Sequence, residues 1–382
     1  MWPDTIVQEV NLTVNISALR KALRRGRANQ DLIRTVSAHG YRFVAPVRVR
    51  NSILTHQVDQ AATSNADAYR AYLQGRHEWS QRSEPALKRA IAQFQHAVSL
   101  DPDFAAAYSG LADCYATMGS LSYVAPTDAS PSARRYATRA LELDPSLPDA
   151  HASLGFVELY HDWNWSAADI QFQRAISLDP GYPPTRQWYG TYLMAAARPT
   201  DALAEMHRAR QRDPLSLPIN TDIGFCHYYA AQYDESVKQL RLVLEINAGF
   251  PPAHLWLGRS YQELGRYDEA IAAFGHVENM LPEWSVPLAA RGFVEGIAGR
   301  TSDARATLRK LEMLSERKFV TSYGLALVHA ALGDTDGAFA CLDTAFAERS
   351  NWLIWLRLDP RWKTLRLDPR FKECVSRIGY PE

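Results

Sequence analysis

The 382 residues predict an all-α superhelix of repeated helix pairs, carrying a small head of one helix and one β-hairpin. Three observations lead there: a dipeptide that recurs at nearly constant spacing, small and large apolar residues at fixed offsets within each period, and a first segment whose charge differs from the rest. Hydrophobic residues at 47% and charged residues at 22% are ordinary globular values and exclude disorder as the main state. Lys and Arg (42) balance Asp and Glu (42), so the chain as a whole is not the uniformly basic kind that coats nucleic acid. Cys114, Cys226, Cys341 and Cys374 lie far apart with no C-x-x-C pair. That argues against a disulfide scaffold or zinc ribbon and fits a reducing cytosol. No apolar run approaches the ~18 residues that span a bilayer. The longest charge-free stretch, Phe319 to Leu332, is too short, and the N-terminus carries no signal-peptide core. The expectation is a cytoplasmic protein with no membrane partner.

The repeat explains most of the length. Asp-Pro follows a short helical pattern at Pro102, Pro145, Pro180 and Pro214, and the series continues at Ala248 and Pro282. The spacings are 43, 35, 34, 34 and 34, so the first holds a nine-residue insertion, placed around Ser120 to Asp128. Thirty-four is the period of tetratricopeptide repeats. Within the unit from Pro251 to Pro282, Leu257-Gly258, Tyr261, Ala270 and Phe274 stand at that repeat's signature offsets. Gly190, Ala202, Met206 and Ala209 repeat the pattern, as do Ala90, Phe94 and Ala97, Ala304 and Leu308, and Ala338, Leu342 and Ala345. Small residues let paired helices approach where they cross, and large ones fill the space between pairs. The Asp is expected to cap, and the proline to enter the first turn of the next helix. Eight units are expected between residues 67 and 350. One unit cannot bury its apolar face alone, so the units stack into a superhelix with a concave groove.

Beyond residue 350 the tail holds two near-copies, Leu358-Asp-Pro-Arg-Trp362 and Leu367-Asp-Pro-Arg-Phe371, each a cap leading into a short helix. Residues 351–382 are expected to cover the last repeat, with Trp352, Trp355, Trp362 and Phe371 as packing anchors.

Residues 1–50 carry nine basic side chains against three acidic ones, which leaves 33 against 39 for the remainder. A neutral total therefore hides a basic head on an acidic body, a pattern that points to an anionic partner or to a solvated basic face. Leu12, Ile16, Leu19 and Leu23 step as one face of a helix, with Asn11 at its start. The runs Leu32–Val36 and Tyr41–Val44 flank a short Gly-containing turn and read as a hairpin. A basic helix can enter a major groove while a hairpin touches the backbone or minor groove.

These residues carry a resemblance. The stretches WPDTIVQEVNLTVNISALRKAL and LIRTVSAHGYRFVAPV resemble the C-terminal half of the OmpR/PhoB-type winged-helix DNA-binding domain, in its CadC- or HilA-like subgroup. The resemblance covers residues 2 to about 47 and implies a recognition helix over Asn11 to Leu23 and a wing over Thr35 to Tyr41. It further implies that Arg20, Lys21 and Arg24 contact phosphates, that Asn15 and Ser17 reach base edges, and that Thr35, Ser37 and His39 act on the wing. Small residues at Ser17-Ala18 and Ser37 stand where family members often carry long polar side chains, which weakens direct readout. The family's N-terminal sheet and first helices would precede position 1. A start placed too late and a remnant that no longer binds DNA both remain open. The segment 48–66 is expected to be a linker. Similar repeat arrays also stand behind kinase and nucleotide-cyclase modules, so the array does not decide the output.

His227, Tyr228, Tyr229 and Trp256 fall on first helices of their units, the ones that line a concave groove. With Thr191, Phe225, Arg259, Gln262 and Glu263 they form a candidate recognition patch for a protein or peptide partner. The run His161-Asp-Trp-Asn-Trp165 stands at the junction where the 35-residue unit gains its extra residue, and its tryptophans are expected to plug that junction. No H-E-x-x-H, G-x-S-x-G, Walker loop or strand-borne G-x-G-x-x-G is present. The carboxylate pairs Asp234-Glu235 and Asp268-Glu269 open second helices, where they favour the helix dipole. Neither an enzyme nor a cofactor or metal site is expected. The leading reading is a DNA-binding transcriptional regulator whose repeats bind a partner or sense a signal. The alternative is a non-enzymatic interaction scaffold with a vestigial head.

Overall fold

The computed structural model describes residues 33–36, 40–43 and 63–381. In the head, β1 (Ile33–Val36) pairs antiparallel with β2 (Gly40–Phe43), with Arg34 opposite Arg42 and Thr35 opposite Tyr41. The helix expected over Asn11 to Leu23 lies outside the described residues.

The array is a tetratricopeptide-type superhelix of eight helix–turn–helix pairs. The first is α1 (Ala66–Ser80) with α2 (Glu84–Leu100), and the second α3 (Ala105–Ser120) with α4 (Pro126–Leu143). The third joins α5 (Pro148–Val157) to α6 (Trp165–Leu178) through a π-helical turn, Glu158–Asp162. The fourth is α7 (Pro183–Ala195) with α8 (Pro199–Arg212), and the fifth α9 (Leu217–Tyr229) with α10 (Tyr233–Ile246). Then come α11 (Pro251–Glu263) with α12 (Tyr267–Met280), α13 (Ser285–Ile297) with α14 (Thr301–Ser315), and α15 (Ser322–Ala331) with α16 (Thr335–Ala347). A tail with 3-10 turns at Leu353–Trp355 and Pro360–Trp362 leads to α17 (Pro369–Arg377).

Inside a pair, the large residue of the second helix fills the notch left by the small residue of the first. A Cβ on Gly258 would fall 2.5 Å from Phe274, a distance no packed pair tolerates. Successive first helices also pack on one another, and they form the inner layer of the superhelix.

The junctions refine the expectation for Asp-Pro. Asp101, Asp144 and Asp179 are C-caps of second helices, and their carboxylates accept the backbone N–H two residues on, at 3.1, 2.9 and 2.8 Å. Their prolines therefore sit in the turn, where a residue that cannot continue a helix belongs. The prolines that do enter a first turn are later ones, Pro148, Pro183 and Pro251 among them. The extra residue of the 35-residue unit is absorbed by the π-turn, after which Trp163 takes a left-handed conformation (φ 55°). The nine-residue insertion lengthens α3 and α4 to 16 and 18 residues and leaves the loop 121–125 between them.

That loop reaches across the superhelix. The Trp284 indole donates to the Leu121 carbonyl at 2.6 Å, and the Tyr123 ring packs on Trp284 at 5.3 Å. On the same side Lys318, between α14 and α15, pairs with Glu84 at 3.1 Å. Trp163 packs edge-on against Phe346 of α16 at 5.5 Å, with the Arg349 guanidinium 4.3 Å over its ring. The two ends of the array thus touch across the superhelix.

Candidate functional site

The concave groove holds the chain's own tail. The tail does cover the last pair: Arg377 and Arg370 lie over the rings of Phe346 and Phe339 at 3.6 and 4.2 Å. It also runs further than a terminal cover would. The Trp352 indole donates to Ser122 Oγ of the α3–α4 loop at 3.1 Å, and the Trp165 indole donates to the Ile378 carbonyl at 3.1 Å. Trp355 stacks on Tyr229 at 4.6 Å and meets Phe225 edge-on at 4.8 Å. Trp362 is fully buried; its indole donates to the Tyr323 hydroxyl at 2.7 Å, which in turn donates to Asp359 at 2.8 Å. Both near-copies in the tail cap alike, Asp359 and Asp368 each accepting the N–H two residues on. Their surroundings differ. The Asp359–Arg361 pair is buried at 2.6 Å, and Arg361 holds the Asp359 carboxyl below its ordinary range against the opposing effect of burial.

Of the candidate recognition patch, Thr191, Phe225 and Trp256 line the groove and Tyr229 and Arg259 lie against tail tryptophans, whereas His227 turns away to Gln232, with Nδ1 and Oε1 2.7 Å apart. Arg259 is clamped between the Trp256 and Trp352 rings at 4.5 and 4.4 Å, and burial pulls its guanidinium down to about 10. Tyr228 packs against Trp256 at 5.5 Å, its buried hydroxyl without a hydrogen-bond partner among the described residues. Gln262 donates to Glu263 at 2.6 Å, and burial raises the Glu263 carboxyl. The Thr191 hydroxyl donates to the Gln187 carbonyl of its own helix at 3.1 Å. Of the head residues, Thr35 lies on β1, while Asn15, Ser17, Arg20, Lys21, Arg24, Ser37 and His39 lie outside the described residues.

Beside the tail a cavity of about 130 Å³ remains at the centre of the ring. Arg82 reaches it from the turn after α1, Asp222 from α9, Gln187 from α7, and Asn351 from the tail. The Arg82 guanidinium lies 3.7 Å over the Trp79 ring and donates to Thr117 Oγ1 at 3.0 Å. Burial pulls it down to about 10, with Asp222 the strongest opposing influence. Asp222 accepts from Gln187 at 2.6 Å, and its buried setting pushes the carboxyl up to about 6. A second polar cluster ties the first pairs together: Arg76 donates to Asp113 and to the Tyr182 hydroxyl, both at 2.7 Å, and Tyr182 donates to Asp149 at 2.9 Å. Sequence reasoning missed Arg82, Asp113, Asp149 and Asp222. A signal existed for two of them, since Asp113 and Asp222 interrupt otherwise apolar helical runs.

Among the described residues no group of three His, Cys, Asp or Glu side chains could hold a metal ion. Nor, among them, is any helix long and apolar enough to cross a membrane.

Fold and groove together define a tetratricopeptide-type protein. Residues 251–279 match the model of the tetratricopeptide repeat family. The chain is also similar to the transcriptional regulator HilA of Salmonella typhimurium, 26% identical over 175 residues, 46% of this chain and 32% of HilA. HilA of Salmonella paratyphi A matches to the same extent, 26% over 175 residues. The match thus spans about a third of the length of these relatives. Among solved structures, the Cut9–Hcn1 hetero-tetramer of APC/C superposes with a TM-score of 0.50 at 13% identity, over 78% of this chain and 63% of that one. A tetratricopeptide repeat protein from Parabacteroides merdae gives 0.46 at 14% identity, over 71% and 98%.

Proposed function

We propose that this chain is a DNA-binding transcriptional regulator whose repeat array senses a signal or receives a protein partner. The observation that carries the reading is the similarity to HilA over 175 residues, whose own name is that of a transcriptional regulator. The basic charge of residues 1–50 and the winged-helix resemblance of residues 2–47 support it. In this reading Arg20, Lys21 and Arg24 contact phosphates, Asn15 and Ser17 face base edges, and Thr35, Ser37 and His39 belong to the wing. The patch of Thr191, Phe225, Tyr228, Tyr229, Trp256, Arg259, Gln262 and Glu263 serves a partner only where that partner displaces the tail. Cytoplasmic residence and the absence of catalysis belong to the same proposal.

The test is selection of genomic fragments by the full chain, followed by a salt titration of the selected site. Binding should weaken steeply with salt, because each neutralised phosphate releases counterions. The triple variant Arg20→Ala, Lys21→Ala, Arg24→Ala should bind more weakly at every sequence and with a shallower salt slope. Unchanged binding in that variant would sink the assigned surface. The scaffold reading is favoured by the aromatic inner face of the array. It expects no DNA selection, and a thermal melt that survives removal of residues 1–60.

A further inference from the structure

The central cavity joins three properties: room, aromatic walls and convergent polar groups. It is roomy, a half-open cleft of about 130 Å³ beside the tail. Aromatic rings form much of its wall, Phe156, Trp188, Phe225, Trp256, Trp352 and Trp355 among them. And polar groups converge on it with part of their bonding capacity unused among the described residues. Arg82, 7% exposed, makes no ion pair among the described residues; its contacts are the Thr117 hydroxyl and the Trp79 ring. Asp222 likewise has the Gln187 amide and no paired cation among the described residues. Thr221 and Asn351 line the same space, 1% and 4% exposed, and Thr221 Oγ1 and Asn351 Oδ1 find no hydrogen bond among the described residues.

A buried donor or acceptor without a partner costs about 1–3 kcal/mol, and a buried charge costs more. Convergent polar groups in an apolar cavity are the mark of a ligand site. The chemistry of the walls then selects the ligand. A guanidinium offers a planar fork of donors that fits a carboxylate. A carboxylate and a ring of aromatic faces both favour an ammonium. The space admits on the order of ten non-hydrogen atoms.

We propose that the cavity binds a small zwitterion of the free α-amino acid class, its carboxylate on Arg82, its ammonium on Asp222 and its apolar side chain among the rings. Asn351, Trp352 and Trp355 belong to the tail, so the occupant bridges tail and array. Its presence holds the tail in the groove. This gives the proposed regulator its signal and rests on that reading only for the consequence, because binding itself can be measured without DNA.

The experiment is calorimetric titration and thermal melting of the full chain with each standard free L-amino acid in turn, with phenethylamine and 3-phenylpropionate as single-charge controls. At least one apolar amino acid should bind and raise the melting temperature, and each control should bind more weakly by roughly tenfold or more, the loss of one charge-assisted hydrogen bond. The nearly isosteric Asp222→Asn should weaken the amino acid by a similar factor while leaving 3-phenylpropionate unaffected. Arg82→Met should weaken both the amino acid and 3-phenylpropionate while sparing phenethylamine; if that variant fails to fold, Asp222→Asn alone decides. No binding by any amino acid, or equal binding by the controls or by Asp222→Asn, overturns the proposal. Amino-acid binding by a chain that selects no DNA would leave the site standing and remove the regulator.

Discussion

Asp149 shows how one residue in the groove wall couples folding to pH. A single guanidinium, Arg76, serves two nearby carboxyls, Asp113 directly and Asp149 through the Tyr182 hydroxyl. Burial pushes Asp149 up to about 7, with Asp113 adding to the rise and Arg76 opposing it. The folded chain therefore keeps a proton that the unfolded chain has already released at an ordinary aspartate pKa of about 4. The contribution of Asp149 to stability is greatest below that value and falls as pH rises from about 4 to about 7. Asp222, raised to about 6, adds to the same slope. In Asp149→Asn the Tyr182 hydroxyl keeps an acceptor, and the titration is gone. Urea unfolding of the two proteins at about pH 5 and about pH 7 should show a smaller loss in the variant. An equal loss in both would place the proton elsewhere.

Between elements, the turn from a first helix to a second depends on one backbone conformation. Residues 197, 231, 265, 299 and 333, 34 apart, all have φ between 57° and 78°. In each, the following N–H closes back onto the helix, as from Arg266 to the Tyr261 carbonyl at 2.9 Å and from Gln232 to the His227 carbonyl at 2.8 Å. Glycine fills this site at Gly265, Gly299 and Gly333, whereas Ala197 and Ala231 meet a steric penalty there. Both methyl groups are exposed, so nothing else is lost with them. Ala197→Gly and Ala231→Gly should each stabilise the array by about 1 kcal/mol in denaturant unfolding, with the slope unchanged. A destabilised variant would show that unfolded-chain entropy outweighs the strain.

For the molecule as a whole, closure changes the energetics expected of a repeat protein. In an open solenoid each unit touches only its neighbours, and stability is nearly a sum over adjacent pairs. Here the tail hydrogen-bonds to the second, third and eighth pairs through Ser122, Trp165 and Tyr323 and packs on the fifth through Phe225. Trp355 lies near the middle of this span and is 2% exposed. Trp355→Ala should cost about 3–5 kcal/mol of global stability, and in the parent chain tryptophan fluorescence and far-UV dichroism should report one coincident transition. A variant whose array midpoint is unmoved would mean that the tail detaches without consequence for the ring.

The local parts of this protein were readable from its residues. The 34-residue period, the small-large pairing of Gly258 with Phe274, the hairpin pairing of residues 33–36 with 40–43, and the capping by Asp359 and Asp368 all follow from signals within a few tens of residues of one another. The π-turn was foreshadowed by a single extra residue in one unit. Other features had no such signal. The seating of Trp352 and Trp355 on Trp256 and Tyr229 joins residues about a hundred positions apart, and Arg82 and Asp222 meet at one cavity from the first and fifth pairs. Whether a superhelix closes depends on the sum of small rotations over eight pairs, and no one repeat encodes that sum. The sequence by itself thus determined the repeating unit and its number. Only the tertiary structure decided that the ring closes, that the tail lies inside it, and which charged side chains are left facing the space that remains.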